Sequence, residues 1–365
     1  MDVTDAQRRR DALIVLAHCI EPADRELGRS VSVRGPEETL QAIESGRGGG
    51  RHREGLLARR AEVDAADAVA RAAAVDARIV TRVDSEWPTQ LDALGDAAPM
   101  ALWVRGSADL RLLALRSLAM VGARACSMYG EEVARTWACE LAGRRWTVVS
   151  GAAFGIDAAA HRGALVGGTT IAVLAGGVDV PYPRAHEALL HRIADAGLVV
   201  SETPPGESVR RQRFLSRNRL IAALTRATVV VEAAERSGTS ATAHAALSLD
   251  RVVLAVPGPV TSPVSRGCHR LIAEEGALLA AGVEDVIAAV DLESATASSP
   301  VRCARDALAL RERRVLDSLQ RRTWLDASQI VRSSGLAPGD VLASLSTLVA
   351  SGWACESEAG WRVVP

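Results

Sequence analysis

Eight short apolar runs follow one another between residues 78 and 258, and most end in glycine or serine before a helical stretch begins. They read RIVTRV, ALWVRG, SLAMVG, WTVVSG, TTIAVLAGG, GLVVSE, ATVVVEA and RVVLAVPG. The segments between them, such as EEVARTWACELAGR and PRAHEALLHRIADAG, carry apolar residues at helical spacing. A strand that is apolar on both faces must be covered on both faces, which is the condition of a mainly parallel sheet with crossover helices. The pattern therefore predicts an α/β, doubly wound, Rossmann-like domain over residues 78–290, whose ligands sit beyond the carboxyl ends of the strands.

Residues 1–75 read instead as a helical domain, through DALIVLAHCI, PEETLQAI and EGLLARRAEVDAADAVARAAAV. SGRGGGRHR, residues 45–53, interrupts them; it is a basic arm or a solvated linker, and its three glycines favour the linker. DLESATASSPVR, residues 291–302, is a second linker. The tail, 303–365, predicts three helices and a two-stranded wing closing on WACESEAGWRVV, the order of a winged helix. Its third helix carries Asp340 and no arginine, so a protein-contacting or structural role fits better than a grip on duplex DNA.

Charge and cysteine usage remove several function classes. The net charge is −1, so any polyanion site must be a local concentration. No lysine occurs, and every basic side chain that could reach a phosphate is an arginine. The six cysteines show no CxxC spacing, which speaks against a zinc site or a disulfide framework. No apolar run is long enough to span a bilayer and no charged-then-apolar leader opens the chain, so a soluble cytoplasmic protein without membrane contact is expected.

Chemistry-bearing residues gather at the predicted strand ends. In MVGARACSMYG, Gly122 allows close backbone approach and Arg124 is placed to reach a phosphate; an ordinary turn with a solvated arginine reads equally well. In VVSGAAFGIDAAAHRGAL, Ser150, Gly151 and Gly155 can form a nest of amides at a helix start. Asp157 and His161 lie one turn apart on that helix; no third ligand supports a metal and no nucleophile supports acid–base work, so structural hydrogen bonds are the expectation. Gly176 and Gly177 would admit either a ligand or another backbone.

ESVRRQRFLSRNR, residues 207–219, holds five arginines around Phe214. Read as a loop, it is how an unpaired strand is gripped: bases stack on the ring and phosphates pair with guanidinium groups. Asn218 and Arg219 lead into LIAALTRA, read as the start of a further helix. Ser237, Gly238, Thr239 and Thr242 repeat the small-residue theme after the next strand, as phosphate contacts or as a helix cap.

In order, VGAR…YG, SGAAFGIDAAAH.GAL, GT.IAVLAGGVD..YP, SE.PPG, F..RNRLIA.L, SGTSATA and R.V.AVPG resemble the DNA-processing protein A (DprA/Smf) family over about residues 78–280. The resemblance implies an extended Rossmann fold with a helical N-terminal domain (SAM or helix-hairpin-helix-like) and a C-terminal winged helix. It implies a non-enzymatic cytoplasmic homodimer without a cofactor that binds single-stranded DNA and loads RecA recombinase in natural transformation. Single-stranded DNA-binding protein is a further candidate partner. The family's DNA contacts carry over onto Gly122, Arg124, Ser150, Gly151, Gly155, Phe214, Arg217, Asn218, Arg219, Ser237, Gly238 and Thr239, with Asp157, His161, Gly176 and Gly177 as loop structure. Three departures stand out: Leu215 follows the phenylalanine where many relatives have proline, His269 replaces an asparagine pattern, and arginine must replace a phosphate-binding lysine, at Arg210, Arg211 or Arg213.

Two other functions were weighed. A LOG-like phosphoribohydrolase would need a glutamate in PGGxGTxxE, where RSGTSAT places Thr242; a hydroxyl cannot supply a carboxylate. A dinucleotide module would need GxGxxG, which is absent, so NAD binding is not expected.

Overall fold

The computed structural model describes residues 3–47, 53–235, 238–290, 308–320 and 323–364. The 291–302 linker, most of the glycine-rich arm and Ser237 lie outside them. The chain divides into two compact units, Met1–Leu292 and Glu293–Pro365.

The first unit opens with helices α1 (Val3–Cys19), α2 (Arg25–Arg34), α3 (Pro36–Glu44), α4 (Arg53–Ala61) and α5 (Ala65–Ala73). Asp24 and Asp64 cap α2 and α5 by accepting from amides at their starts. Strands β1 (Ala77–Thr81) and β2 (Ala101–Arg105) follow, then α6 (Leu110–Leu115), and five strand–helix units. These are β3 (Ser117–Val121) with α7 (Met128–Gly143), β4 (Thr147–Ser150) with α8 (Ile156–Gly167), β5 (Thr170–Leu174) with α9 (Glu187–Ala196), β6 (Leu198–Ser201) with α10 (Arg211–Leu224) and β7 (Ala227–Val230) with α11 (Gly238–Leu247). β8 (Val252–Ala255), α12 (Arg266–Glu274), β9 (Leu278–Leu279) and α13 (Val283–Val290) complete the unit.

The nine strands form one sheet in the order β1-β2-β6-β5-β4-β3-β7-β8-β9. From β6 to β9 all neighbours are parallel, as the doubly wound reading predicts. The edge departs from it: β1 pairs β2, and β2 pairs β6, both antiparallel. An apolar run looks the same in either direction; direction is set by the connection, and β1 reaches β2 through a 3-10 segment, Thr89–Ala97, with no crossover helix between them.

Alternate residues of each strand feed opposite faces, so Leu118 and Met120 pack under α7 and α8 while Ala119 and Val121 pack under α10 and α11. The N-terminal helices share a third cluster with the sheet, in which Leu13, Leu16 and Ile43 meet Ile79, Trp103 and Leu174. Order along the chain and order in the sheet together create a switch point. β4 to β6 run outward from one side of β3 and β7 to β9 from the other, so the loops after β3 and β7 part and leave a crevice.

The second unit holds α14 (Leu310–Ser318), α15 (Ala327–Ser334), α16 (Pro338–Ala350) and a two-stranded sheet of β10 (Ala354–Ser357) and β11 (Gly360–Val363) around its own apolar cluster. Asp326 closes a capping box with Gln329 at the start of α15, and Gly335 ends that helix in the left-handed region. Asp340 of α16 accepts from Arg311 at 2.9 Å. Among the described residues no helix is long and apolar enough to cross a membrane.

Candidate nucleic-acid interface

A cleft of about 400 Å3 opens at the switch point. Its walls come from four connections: Gly122 to Ala125 after β3, Ala153 and Asp157 at the start of α8, Phe214, Leu215, Arg217 and Asn218 of α10, and Gly238, Thr239 and Thr242 of α11.

The rim holds the exposed guanidinium of Arg124. Its Cζ lies 5.2 Å from the centroid of the half-buried Phe214 ring, which the Tyr182 ring also contacts, tilted by 60° at 5.3 Å. The loop bearing Arg124 is held from behind by Glu232, a buried residue that accepts from the Ser127 amide at 2.8 Å and from its hydroxyl at 2.5 Å. The Glu232 carbonyl also accepts from the Ala123 amide at 2.7 Å. Nothing in VVVEA marks that glutamate as anything but a strand end, so the sequence reading passed over it.

Of the segment read as a basic loop, residues 211–219 are in fact the first two and a half turns of α10. Its residues are therefore sorted by helical geometry. Arg213 donates to both Glu21 oxygens at 3.0 Å and to Glu207 at 3.0 Å, so it ties α10 to the N-terminal helices. Arg210 also reaches Glu21, at 3.3 Å. Arg217 is buried and donates to the carbonyls of Gly151, at 2.8 Å, and Val173, at 2.5 Å. Arg219 is buried against Glu202, donating to both of its oxygens at 2.7 and 2.6 Å. Asn218 accepts from Arg217 at 3.2 Å and donates to the Gly238 carbonyl at 3.4 Å, which joins α10 to α11. It stands in mid-helix, so no second helix start is present there to hold an anion. Of the five arginines only Arg211 is exposed without an ion pair among the described residues, and it lies one turn before Phe214 on the face that lines the cleft.

The glycines also answer to the protein itself. A side chain on Gly151 would run into the Arg217 guanidinium, and one on Gly122 into Ile156. Gly155 adopts φ +75° with the backbone of Ala123 and Arg124 directly against it, so the β3 and β4 loops touch. Gly176 and Gly177 admit another backbone, not an open space: the 204–209 segment covers them, and the Gly177 amide donates to Glu207 at 3.0 Å. Ser150 donates to the Met120 carbonyl at 2.6 Å. Thr239 and Thr242 line the cleft as buried residues.

Asp157 is buried and accepts from the amides of Gly151 at 3.2 Å and Ala153 at 3.4 Å. Burial raises its carboxyl pKa, opposed by the nearby Arg217. Burial likewise lowers Arg217, to about 10, which leaves it charged at neutral pH. His161 faces Thr170 at 2.7 Å; the Thr170 hydroxyl proton goes to the Val148 carbonyl, so His161 Nδ1 must be the donor. Burial, with His186 and Arg217 nearby, brings its pKa down to about 3. Among the described residues no three His, Cys, Asp or Glu side chains gather as a metal would require. His269, at the position of the expected asparagine, contacts the Gly258 carbonyl at 3.0 Å.

The cleft thus offers one aromatic face with the Arg124 guanidinium at its rim, and Arg211 stands exposed one helical turn away. Comparison with known proteins identifies the family. A DprA-named DNA processing protein of Mycobacterium tuberculosis is 43% identical over 363 residues, covering 96% of this chain and 93% of its own. The crystal structure of DNA processing protein A from Streptococcus pneumoniae aligns with a TM-score of 0.66 and 32% identity over 80% of this chain and 99% of that one. A Helicobacter pylori DNA processing protein A structure, described by its single-stranded DNA binding mode, aligns with a TM-score of 0.52 and 26% identity over 57% and 94%. Residues 78–291, the sheet and its helices, match the family described as DNA recombination-mediator protein A, and the chain belongs to that family.

Proposed function

We propose that this chain binds single-stranded DNA across the carboxyl edge of its sheet and acts as a recombination mediator by presenting that strand to RecA recombinase. The observation that carries the reading is the Arg124 guanidinium over the Phe214 ring at the mouth of the switch-point cleft. An aromatic face accepts any unpaired base, a guanidinium beside it accepts the adjoining phosphate, and a duplex with its bases stacked inside offers only the second contact. The phosphate contacts fall to Arg124 and Arg211, with the amides of the β3 loop and of Gly238 and Thr239. Arg213, Arg217, Asn218 and Arg219 serve the interface by fixing α10. The H. pylori relative, described by its single-stranded DNA binding mode, supports this reading.

The site works by binding and not by catalysis in this reading. The carboxylate that lines the cleft, Asp157, is turned to backbone amides and to Arg217 rather than to open space. A homodimer in the cytoplasm, a winged-helix tail and contact with single-stranded DNA-binding protein complete the proposal. The test is fluorescence anisotropy with a labelled dT oligomer and with a duplex of equal length. Preference for the single strand, together with faster RecA filament growth on DNA already covered by single-stranded DNA-binding protein, is the expected result. Equal affinity for both DNA forms sinks the single-strand reading.

A further inference from the structure

The chain contains two phenylalanines and two tyrosines, and all four lie at carboxyl ends of neighbouring parallel strands. Tyr129 follows β3, Phe154 follows β4, Tyr182 follows β5 and Phe214 follows β6. None is buried: Tyr129, Phe154 and Tyr182 are 45%, 48% and 45% exposed. In the same unit the buried aromatic residues are tryptophans, with Trp87, Trp103 and Trp146 at 4% exposure or less. Aromatic side chains stabilise a fold chiefly by being buried, so rings left half-exposed along one edge contribute less to packing than the buried tryptophans do.

The Tyr129 hydroxyl donates to the Pro257 carbonyl at 2.9 Å, which ties that ring to the loop after β8 and leaves Phe154 as the member without an assigned role. It stands in the Ala152–Gly155 turn, where Ala152 and Gly155 both take positive φ and push the turn out between β4 and α8. Its ring packs edge-on against His186 at 4.8 Å. His186 is itself fixed, its Nδ1 donating to the Ala152 carbonyl at 2.9 Å. It belongs to the same β5–α9 connection as Tyr182, whose ring touches Phe214. The half-exposed Phe154 ring is therefore backed by a side chain of the same connection that carries Tyr182, the partner of Phe214.

From this arrangement we infer that Phe154, with Tyr182, forms a second base-stacking position, so that the bound strand continues past Phe214 along the carboxyl edge of β5 and β4. The inference rests on the single-stranded DNA reading and adds to it two residues outside the contacts assigned above. Stacking tolerates every base, so the extension lengthens the footprint without adding sequence preference.

The test compares a dT oligomer of about 20 nucleotides with an abasic deoxyribose-phosphate oligomer of the same length, by anisotropy with the full chain. Phe154→Ala should weaken dT binding by about 5- to 150-fold while leaving abasic binding within about twofold, and Phe154→Trp should restore it. Phe214→Ala is the control for the reading beneath. If Phe214→Ala shows base-selective loss and Phe154→Ala leaves dT affinity unchanged, the second position is refuted and the primary reading stands. If Phe154→Ala lowers dT and abasic binding together, the residue supports the fold and the inference is also refuted. If Phe214→Ala is inert as well, the interface itself is misplaced.

Discussion

Arg124 Cζ and the Phe214 ring centroid stand 5.2 Å apart, which couples the loop after β3 to the first turn of α10. The two residues should nevertheless fail in different ways. Arg124→Ala removes one phosphate contact, so the slope of log affinity against log salt should flatten by about 0.7, with weakening that is uniform over base sequence. Phe214→Leu should lower affinity for dT by about 5- to 150-fold with the salt slope unchanged. A salt titration of anisotropy measures both, and identical slope changes in the two variants would contradict the division of labour.

Arg211 and Arg213 are two residues apart on α10 and should separate binding from stability. Arg211 is exposed and without an ion pair among the described residues, so Arg211→Ala should flatten the salt slope by about 0.7 and leave the urea midpoint unchanged. Arg213 has a 7% exposed side chain and holds Glu21 and Glu207, whose own side chains are 42% and 44% exposed. Those half-exposed partners discount the loss, so Arg213→Met should cost about 1–3 kcal/mol in urea unfolding. A larger salt-slope change for Arg213→Met than for Arg211→Ala would reverse the assignment.

Arg217→Met should be the most damaging change in α10. It leaves the Gly151 and Val173 carbonyls without their donor and Asp157 without its nearby cation, all inside the protein. Removing one partner from such a buried arrangement costs about 3–5 kcal/mol. Adding Asp157→Asn should recover part of that loss, because the uncompensated carboxylate is then gone. Urea unfolding of the two single variants and the double variant closes the cycle; strict additivity would show that Asp157 and Arg217 are not coupled.

The parallel strands, their order and the crossover helices were legible because alternation of apolar runs and helices leaves few topologies open. The carboxyl-edge location of the cleft followed from the same rule. What the sequence concealed was which arginines are free. Glu21 lies 192 residues from Arg213, and Glu202 lies 17 residues before Arg219, at the start of the same connection. A run of basic residues in one dimension becomes a helix whose turns face the N-terminal helices, the core and the cleft in succession, and no local spacing reveals the distant carboxylates. Of the two readings open for Gly176 and Gly177 the close backbone holds, through the 204–209 segment, and a side chain on Gly151 would meet Arg217. Phe154 stood inside the SGAAFGID stretch, where the glycines and serine drew the reading and the ring did not.

The tail unit has an apolar cluster of its own, built from Val315, Ile330, Val341, Leu345 and Leu348, and shares no member with the three clusters of the first unit. Truncation after residue 300 should therefore leave the first unit folded and the affinity for a dT oligomer within about twofold of the full chain. The acidic start of α16, with Asp340 already paired to Arg311, gives the tail little attraction for phosphate. Loss of duplex binding alone on truncation, read by anisotropy, would show that the tail grips DNA after all.

His161 sets a pH dependence whose sign is fixed by burial. Its pKa falls to about 3 in the folded chain, against about 6.5 when unfolded. Between those values the unfolded state binds more protons, so folding stability rises with pH. The contribution is complete above about pH 6.5 and is lost as pH falls toward 3, at about 1.4 kcal/mol per pH unit. The physical cause is plain at the ring: Nδ1 already donates to Thr170, and Nε2 is buried with no acceptor to receive a second proton. His161→Gln removes the titration, so the stability gap between wild type and variant should shrink with acidification by about 1.4 kcal/mol per unit between pH 6 and 4. Urea unfolding at stepped pH measures that gap, and parallel curves for the two proteins would mean that His161 finds an acceptor or water on protonation.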